Sequence, residues 1–254
     1  MGAVYALTLR QLSGKWRLAI MAVLALLPVI VALITLRDDN GPTVVEFEQV
    51  VFSAMLSGSI TPMIVLAIAA AAFANEIEDR TIANLTLSPI PRWQIVVPKL
   101  LAIITLATPF IAASSFLTSH VAFIADTKAT LAVVLSSLAG VALYSSAFMW
   151  LGLATTQAIG IGLLYIVLWE GFFSGFVAGV RLFSIRHYGT ALMHGLDERR
   201  FAATSHLGLW AVVVIAAVVF SGFLLMSVRR LRRMDRRGRE DQHRGEHGKF
   251  NNET

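Results

Sequence analysis

Six long apolar runs organise the chain: Leu18 to Leu36, Val50 to Ala74, Ile95 to Thr118, Ala129 to Ala154, Ala158 to Val180 and Leu207 to Val228. A helix needs about 20 apolar residues to cross the hydrocarbon of a bilayer. The pattern therefore predicts an all-α integral membrane bundle of six transmembrane helices over residues 18–228. Before the first run, Tyr5, Leu9, Leu12 and Trp16 recur at helical spacing with Arg10, Lys15 and Arg17 close by, which predicts an interfacial helix over residues 1–17. Between the last two runs, Leu182, Ile185, Gly189, Leu192 and Leu196 alternate with Arg186, His187, His194, Asp197 and Glu198. That spacing predicts outer amphipathic helices, two short ones broken near Gly189 or Gly195. Residues 229–254 are charged, with seven arginines between Arg229 and Arg239. They read as a basic, disordered cytoplasmic tail, able to rest on anionic lipid.

Composition agrees with a membrane protein. The 254 residues are 56% hydrophobic and 15% charged, with mean hydropathy +0.70, against about a quarter charged in soluble domains. The formal charge of +5 is concentrated in the tail, where nine Lys/Arg oppose five Asp/Glu, so it does not indicate a nucleic-acid partner. No cysteine is present, which removes disulfide, thiol and Cys-metal chemistry. The first apolar run is too long for the h-region of a signal peptide and has no small-x-small site after it, so it reads as a span. With the first span starting inside, the inner segments hold fifteen Lys/Arg and the outer ones six. This bias places both termini in the cytoplasm of a plasma-membrane protein.

The connection from Phe73 to Lys99 is then cytoplasmic, and it is far richer than chain reversal requires. Asn75 and Glu78 make an Asn version of a capping box, with Glu76 and Asp79 adding negative charge to the first turn. Ser88-Pro89-Ile90-Pro91 ends the segment. The expected product is a crosswise helix from Glu76 to Leu87, with Ile77, Ile82, Leu85 and Leu87 as its apolar residues, suited to docking a cytosolic protein.

At these residues the chain resembles the permease subunits of type 2 ATP-binding-cassette transporters, which include bacterial exporters of drugs, antibiotics and sodium. The matching positions are Phe73, Ala74, Glu76, Glu78 and Thr81, then Leu85, Leu87, Pro89, Pro91 and Lys99, with Arg80 where the family pattern has glycine. Tyr165, Trp169 and Glu170 in the fifth span and Ser184, Ile185, His187 and Tyr188 outside extend the likeness. The resemblance implies that Glu76, Glu78, Asp79, Arg80, Thr81, Ile82, Leu85 and Pro89 form a coupling helix seated on a separate ATPase subunit. It also implies two cytosolic ATPase partners, a second permease copy or paralogue, and export as the direction. The chain has no Gly-x4-Gly-Lys-Ser/Thr loop to cradle phosphate. ATP and Mg²⁺ are expected on the partner, with no cofactor here and no enzymatic role.

Glu170 is the one acidic residue deep in a predicted span, about 18 Å from its cytoplasmic end at 1.5 Å per residue. A carboxylate at that depth costs about 2.5–3.5 kcal/mol on insertion scales, so it must face protein or a polar cavity. Two readings stand: a substrate or gating contact, and a hydrogen-bonded structural residue. Gly171, Gly175 and Gly179 make a small-residue packing stripe beside it, and Ser174 shares that face. Thr105, Thr108 and Ser115 in the third span are candidate pathway hydroxyls. His187 and His194 are seven residues apart, about 10.5 Å along a helix, too far for one zinc ion. The rival functions are a secondary transporter using Glu170 as proton carrier, which would call for inverted repeats, and a prenyl-diphosphate transferase using Glu76, Glu78 and Asp79 with Mg²⁺.

Overall fold

The computed structural model describes residues 2–37, 42–72, 91–124, 126–173, 184–201 and 208–250. Within them the chain is a helical bundle. Helix α1 (Gly2–Leu12) is followed by α2 (Lys15–Thr35), and a short α3 (Val44–Phe47) runs through a π-helical stretch, Glu48–Ile60, into α4 (Thr61–Ala69). After residues 73–90, which lie outside the described residues, come α5 (Trp93–Ala122) and α6 (Thr127–Ala154). Next are α7 (Ala158–Leu164) with a second π-helical stretch, Tyr165–Phe173, then α8 (Ile185–Leu196) and α9 (Leu209–Phe250).

Among the described residues five helical stretches are long and apolar enough to span a membrane: Lys15–Thr35, Val45–Ala69, Trp93–Ala122, Thr127–Ala154 and Leu209–Arg233. The fifth predicted span is described as the shorter apolar helix Ala158–Gly171. Helix α6 is the hub. It packs on α5, α4, α8 and α9, while α1 and α2 pack on α5. The main core gathers Ile64, Ile68, Ile103, Tyr144 and Met149, all buried. A second core sits where the α5–α6 connection meets α8, with Phe52 against the rings of Phe47, Phe123 and Phe201 at 5.6, 5.4 and 6.5 Å between centroids.

Local chemistry sets the helix ends. Thr43 and Glu46 form a reciprocal capping box, with Thr43 N donating to Glu46 Oε2 at 2.9 Å and Glu46 N to Thr43 Oγ1 at 3.4 Å. The second span accordingly begins before Val50 and carries Glu46 and Glu48 into its first turns. Asp126 caps α6 by accepting from Ala129 N at 3.1 Å. Prolines 28, 98 and 109 lie inside helices, which membrane bundles tolerate because neighbours compensate the freed backbone groups.

Three expectations change. The face Tyr5, Leu9, Leu12, Trp16 is not one helix: Ser13 and Gly14 separate α1 from α2, leaving Trp16 84% exposed in the first turn of α2 while Leu12 is buried. Residues Ile185–Leu196 form one helix, unbroken at Gly189 and Gly195, in place of two short ones. Its polar residues divide, with His187 buried beside Ile185 and Tyr188, and Arg186, Thr190 and His194 partly exposed. The last helix does not stop near Val228, where composition suggested disorder, but continues to Phe250. No proline interrupts that stretch, and arginine, its commonest residue, is a good helix former.

Candidate functional site

Glu170 has no solvent exposure. It lies in the π-helical stretch Tyr165–Phe173, and that geometry supplies its first partner. Positions five apart point to different sides of an α-helix, with its 3.6 residues per turn, whereas an i→i+5 winding brings them together. Tyr165 thus donates its phenol to Glu170 Oε1 at 2.9 Å. Tyr144 of α6 reaches the same oxygen at 3.1 Å, and it also lies 3.4 Å from the Ser57 carbonyl. Its single proton favours the carboxylate, the shorter contact and the charge-assisted one.

The remaining donors come from the start of α8. Ser184 Oγ donates to Glu170 Oε2, and Ile185 N donates to Oε1 at 3.0 Å. Ser184 is also the N-cap of α8, accepting from His187 N at 3.3 Å. The carboxylate therefore sits at a helix N-terminus, where free amides and the macrodipole favour negative charge. The contact pins the first turn of α8 against the bundle, where Ser184, Ile185 and His187 are buried.

Arg186, the next residue on α8, closes the arrangement. Its Nε donates to Ser53 Oγ at 3.0 Å and its Nη1 to the Glu170 backbone carbonyl at 3.1 Å, and it is electrostatically coupled to Glu170 and Tyr144. Space for it is left by Gly58: a Cβ there would lie 2.9 Å from Arg186 Cδ and 3.2 Å from the Ser53 carbonyl. One knot thus joins the two π-helical stretches, Glu48–Ile60 and Tyr165–Phe173, to α6 and α8. The two π-helical stretches pack on each other at this place.

The arrangement has the chemistry of a joint. A buried carboxylate is tolerable when its lone pairs are met and a cation is near, and here four donors and a guanidinium serve it. Among the described residues no group of three His, Asp or Glu side chains could hold a metal.

The other sequence-predicted residues are dispersed. Glu76, Glu78, Asp79, Arg80, Thr81, Ile82, Leu85 and Pro89 lie outside the described residues, as do Ser174, Gly175 and Gly179. Gly171 is exposed, and the nearest atom to a Cβ built there is the Ile166 carbonyl of its own helix, at 3.6 Å. On α5, Thr105 is exposed and Thr108 half-buried. Ser115 is fully buried and donates to the Ile111 carbonyl one turn back at 2.7 Å, so its proton serves its own helix. His194 Nδ1 lies 2.7 Å from the Phe201 carbonyl.

Two cations that sequence reading assigned no local role close helix ends. Lys99 Nζ, buried in α5, donates to the Ala72 carbonyl at 2.7 Å, bridging the two ends of the segment 73–90. Arg230 of α9 donates to the Leu153 and Ala154 carbonyls at 3.0 and 2.8 Å, capping the C-terminus of α6. Their positive charge was visible, but their acceptors are 27 and 76–77 residues away. The Thr43-x-x-Glu46 pattern was legible and marks the true start of the second span.

A family model for ABC-2 family transporter proteins matches residues 9–188. No curated protein matches the chain significantly. The match covers most of the bundle, including the Phe73 to Lys99 connection, the Glu170 knot and the start of α8. Membrane domains of this family are permease subunits that lack ATP-binding motifs of their own. The chain, a multi-pass helical membrane protein, belongs to the ABC-2 transporter family as a permease subunit.

Proposed function

We propose that this permease crosses the cytoplasmic membrane six times and exports an amphipathic or hydrophobic substrate. In this reading it pairs with a second permease copy or paralogue and with two cytosolic ATPases. Ala158–Val180 is the fifth span, residues 1–12 lie along the inner leaflet, and Glu76 to Leu87 form the helix that receives the ATPase stroke. The observation that carries this reading is the family match running through residues 73–90. It is supported by the Lys99–Ala72 contact, which clamps the ends of that segment to two spans, so that movement of the segment is passed to both.

Glu170 acts in this reading as the positioning residue of the transport cycle. It has no exposure, and its oxygens are occupied by Tyr144, Tyr165, Ser184 and Ile185. Opening a path among the second span, the fifth span and α8 requires this knot to shift as a unit, so the carboxylate sets which arrangement is stable. Ser174, Thr105 and Thr108 remain candidate contacts for substrate.

The test is co-purification and transport with the cognate ATPase. Glu78→Arg and Leu85→Asp are expected to abolish ATPase binding and ATP-driven transport while the permease still inserts and folds. Retention of both activities in both variants would sink the coupling assignment.

A further inference from the structure

Between α6, the fifth span, α8 and α9 lies a cavity of about 310 Å³, open at its rim. Phe148 and Trp150 of α6, Tyr165 of the fifth span, Tyr188 of α8 and Val219 and Phe223 of α9 define it, and no lining residue carries a formal charge. Its most polar approach, the Tyr165 phenol, is already engaged by Glu170. The neighbouring surface is apolar as well: Ile161, Val214 and Val218 are exposed. Within the spans the surrounding medium is hydrocarbon, so the cavity opens onto acyl chains. A water molecule would find few of the two to four polar partners it needs, and an empty cavity forfeits dispersion contacts along its whole wall.

Charge near one end indicates what kind of chain-bearing molecule fits. On α9, Arg230 follows Phe223 by seven residues, two turns, and so continues the cavity-lining face. It holds α9 to the end of α6. Arg233 follows Val219 by fourteen residues, close to four turns, and is exposed. It lies about 15 Å along the axis beyond Phe223, at 1.5 Å per residue. An apolar slot with a cation at that distance matches a hydrocarbon chain joined to a phosphate.

We propose that this cavity is a phospholipid site in which one acyl chain fills the space between α6, the fifth span, α8 and α9, and the phosphate meets Arg233. The site touches the Glu170 knot through Tyr165, so a bound lipid braces one wall of that knot.

Trp150 reports on occupancy. With Trp16, Trp93, Trp169 and Trp210 replaced by Phe, the full chain is reconstituted into phosphatidylcholine vesicles containing a minor fraction of phosphatidylglycerol brominated along its chains. The site predicts quenching of Trp150 well above the level set by the mole fraction of brominated lipid. Ala147→Leu and Val219→Phe, which fill the cavity from two different helices, should lose that excess, and Arg233→Gln should reduce it. Val214→Phe, on the exposed side of α9, should not change it. As a measurement without tryptophan replacement, phosphorus retained per purified chain in detergent should drop in Ala147→Leu. Quenching no greater than mole fraction, or an excess that survives both filling substitutions, overturns the proposal; an excess untouched by Arg233→Gln overturns the phosphate contact.

Discussion

Removing the acceptor at the centre of the knot has a calculable consequence. In Glu170→Ala, the Tyr144 and Tyr165 phenols, the Ser184 hydroxyl and the Ile185 amide lose a shared acceptor inside the bundle. Each buried donor left unmet costs about 1–3 kcal/mol. Tyr144 can fall back on the Ser57 carbonyl at 3.4 Å, and Arg186 loses its nearby carboxylate. Breaking one side of a buried charge pair costs about 3–5 kcal/mol, so with the unmet donors added the total exceeds about 5 kcal/mol, on the scale of the whole stability of a small domain. Glu170→Gln is far milder: Oε1 still accepts, and the cost is the difference between a charge-assisted and a neutral hydrogen bond, about 1 kcal/mol, plus reorientation of Ser184 toward an NH2 group. Thermal unfolding in detergent, followed by size-exclusion fluorescence, separates the cases. Wild type, Gln and Ala should rank in that order with the larger gap before Ala. A double-mutant cycle between Glu170→Gln and Tyr165→Phe should be non-additive by about 0.5–3 kcal/mol. An Ala variant as stable as wild type, or an additive cycle, would refute the reasoning.

Three further outcomes follow from single contacts. Gly58→Ala sets a methyl 2.9 Å from Arg186 Cδ; it should lower thermal stability and lose that effect in an Arg186→Ala background, which a thermal-shift series checks. Lys99→Met leaves the Ala72 carbonyl without its lysine partner and should weaken transport more than bundle stability, as read by ATP-driven transport beside unfolding. Arg230→Gln removes the guanidinium from the C-terminus of α6 and should cost about 0.3–1 kcal/mol from the helix dipole together with two hydrogen bonds, measured by unfolding at equal detergent.

Long apolar runs carry their own signal, because a span is a local property of about 20 residues. Five of the six runs accordingly coincide with long helices, and the fifth is described as the shorter Ala158–Gly171. Charge and capping at the ends are weaker signals. Val50 marks where the second run becomes uninterrupted, whereas the helix starts at the capping residue Thr43 and takes in Glu48, which is buried with Arg200 as its nearby cation. The burial of Glu170 was legible for the same local reason. Its partners were not, since Tyr144 is 26 residues away in the chain and the Arg186–Ser53 contact spans 133. Neither falls within any helical period. The burial of Ser184 and His187 at the start of α8 accompanies those contacts, so the alternation of polar and apolar residues could suggest an amphipathic helix without its docking partners. Likewise the π winding that aligns Tyr165 with Glu170 depends on packing between two spans.

The account rests most heavily on the segment 73–90 as the place where an ATPase is engaged. Because the chain has no cysteine, single replacements report without background. Glu78→Cys, Leu85→Cys and, as an outer control, Lys128→Cys would be labelled with a maleimide carrying a photoreactive group, which inserts into whatever protein lies against the labelled position, and illuminated in membranes holding the cognate ATPase. The predicted result is one cross-linked permease–ATPase band from Glu78→Cys and Leu85→Cys, changing with nucleotide, and none from Lys128→Cys; bands from Lys128→Cys alone, or from none of the three with the ATPase present, would contradict it.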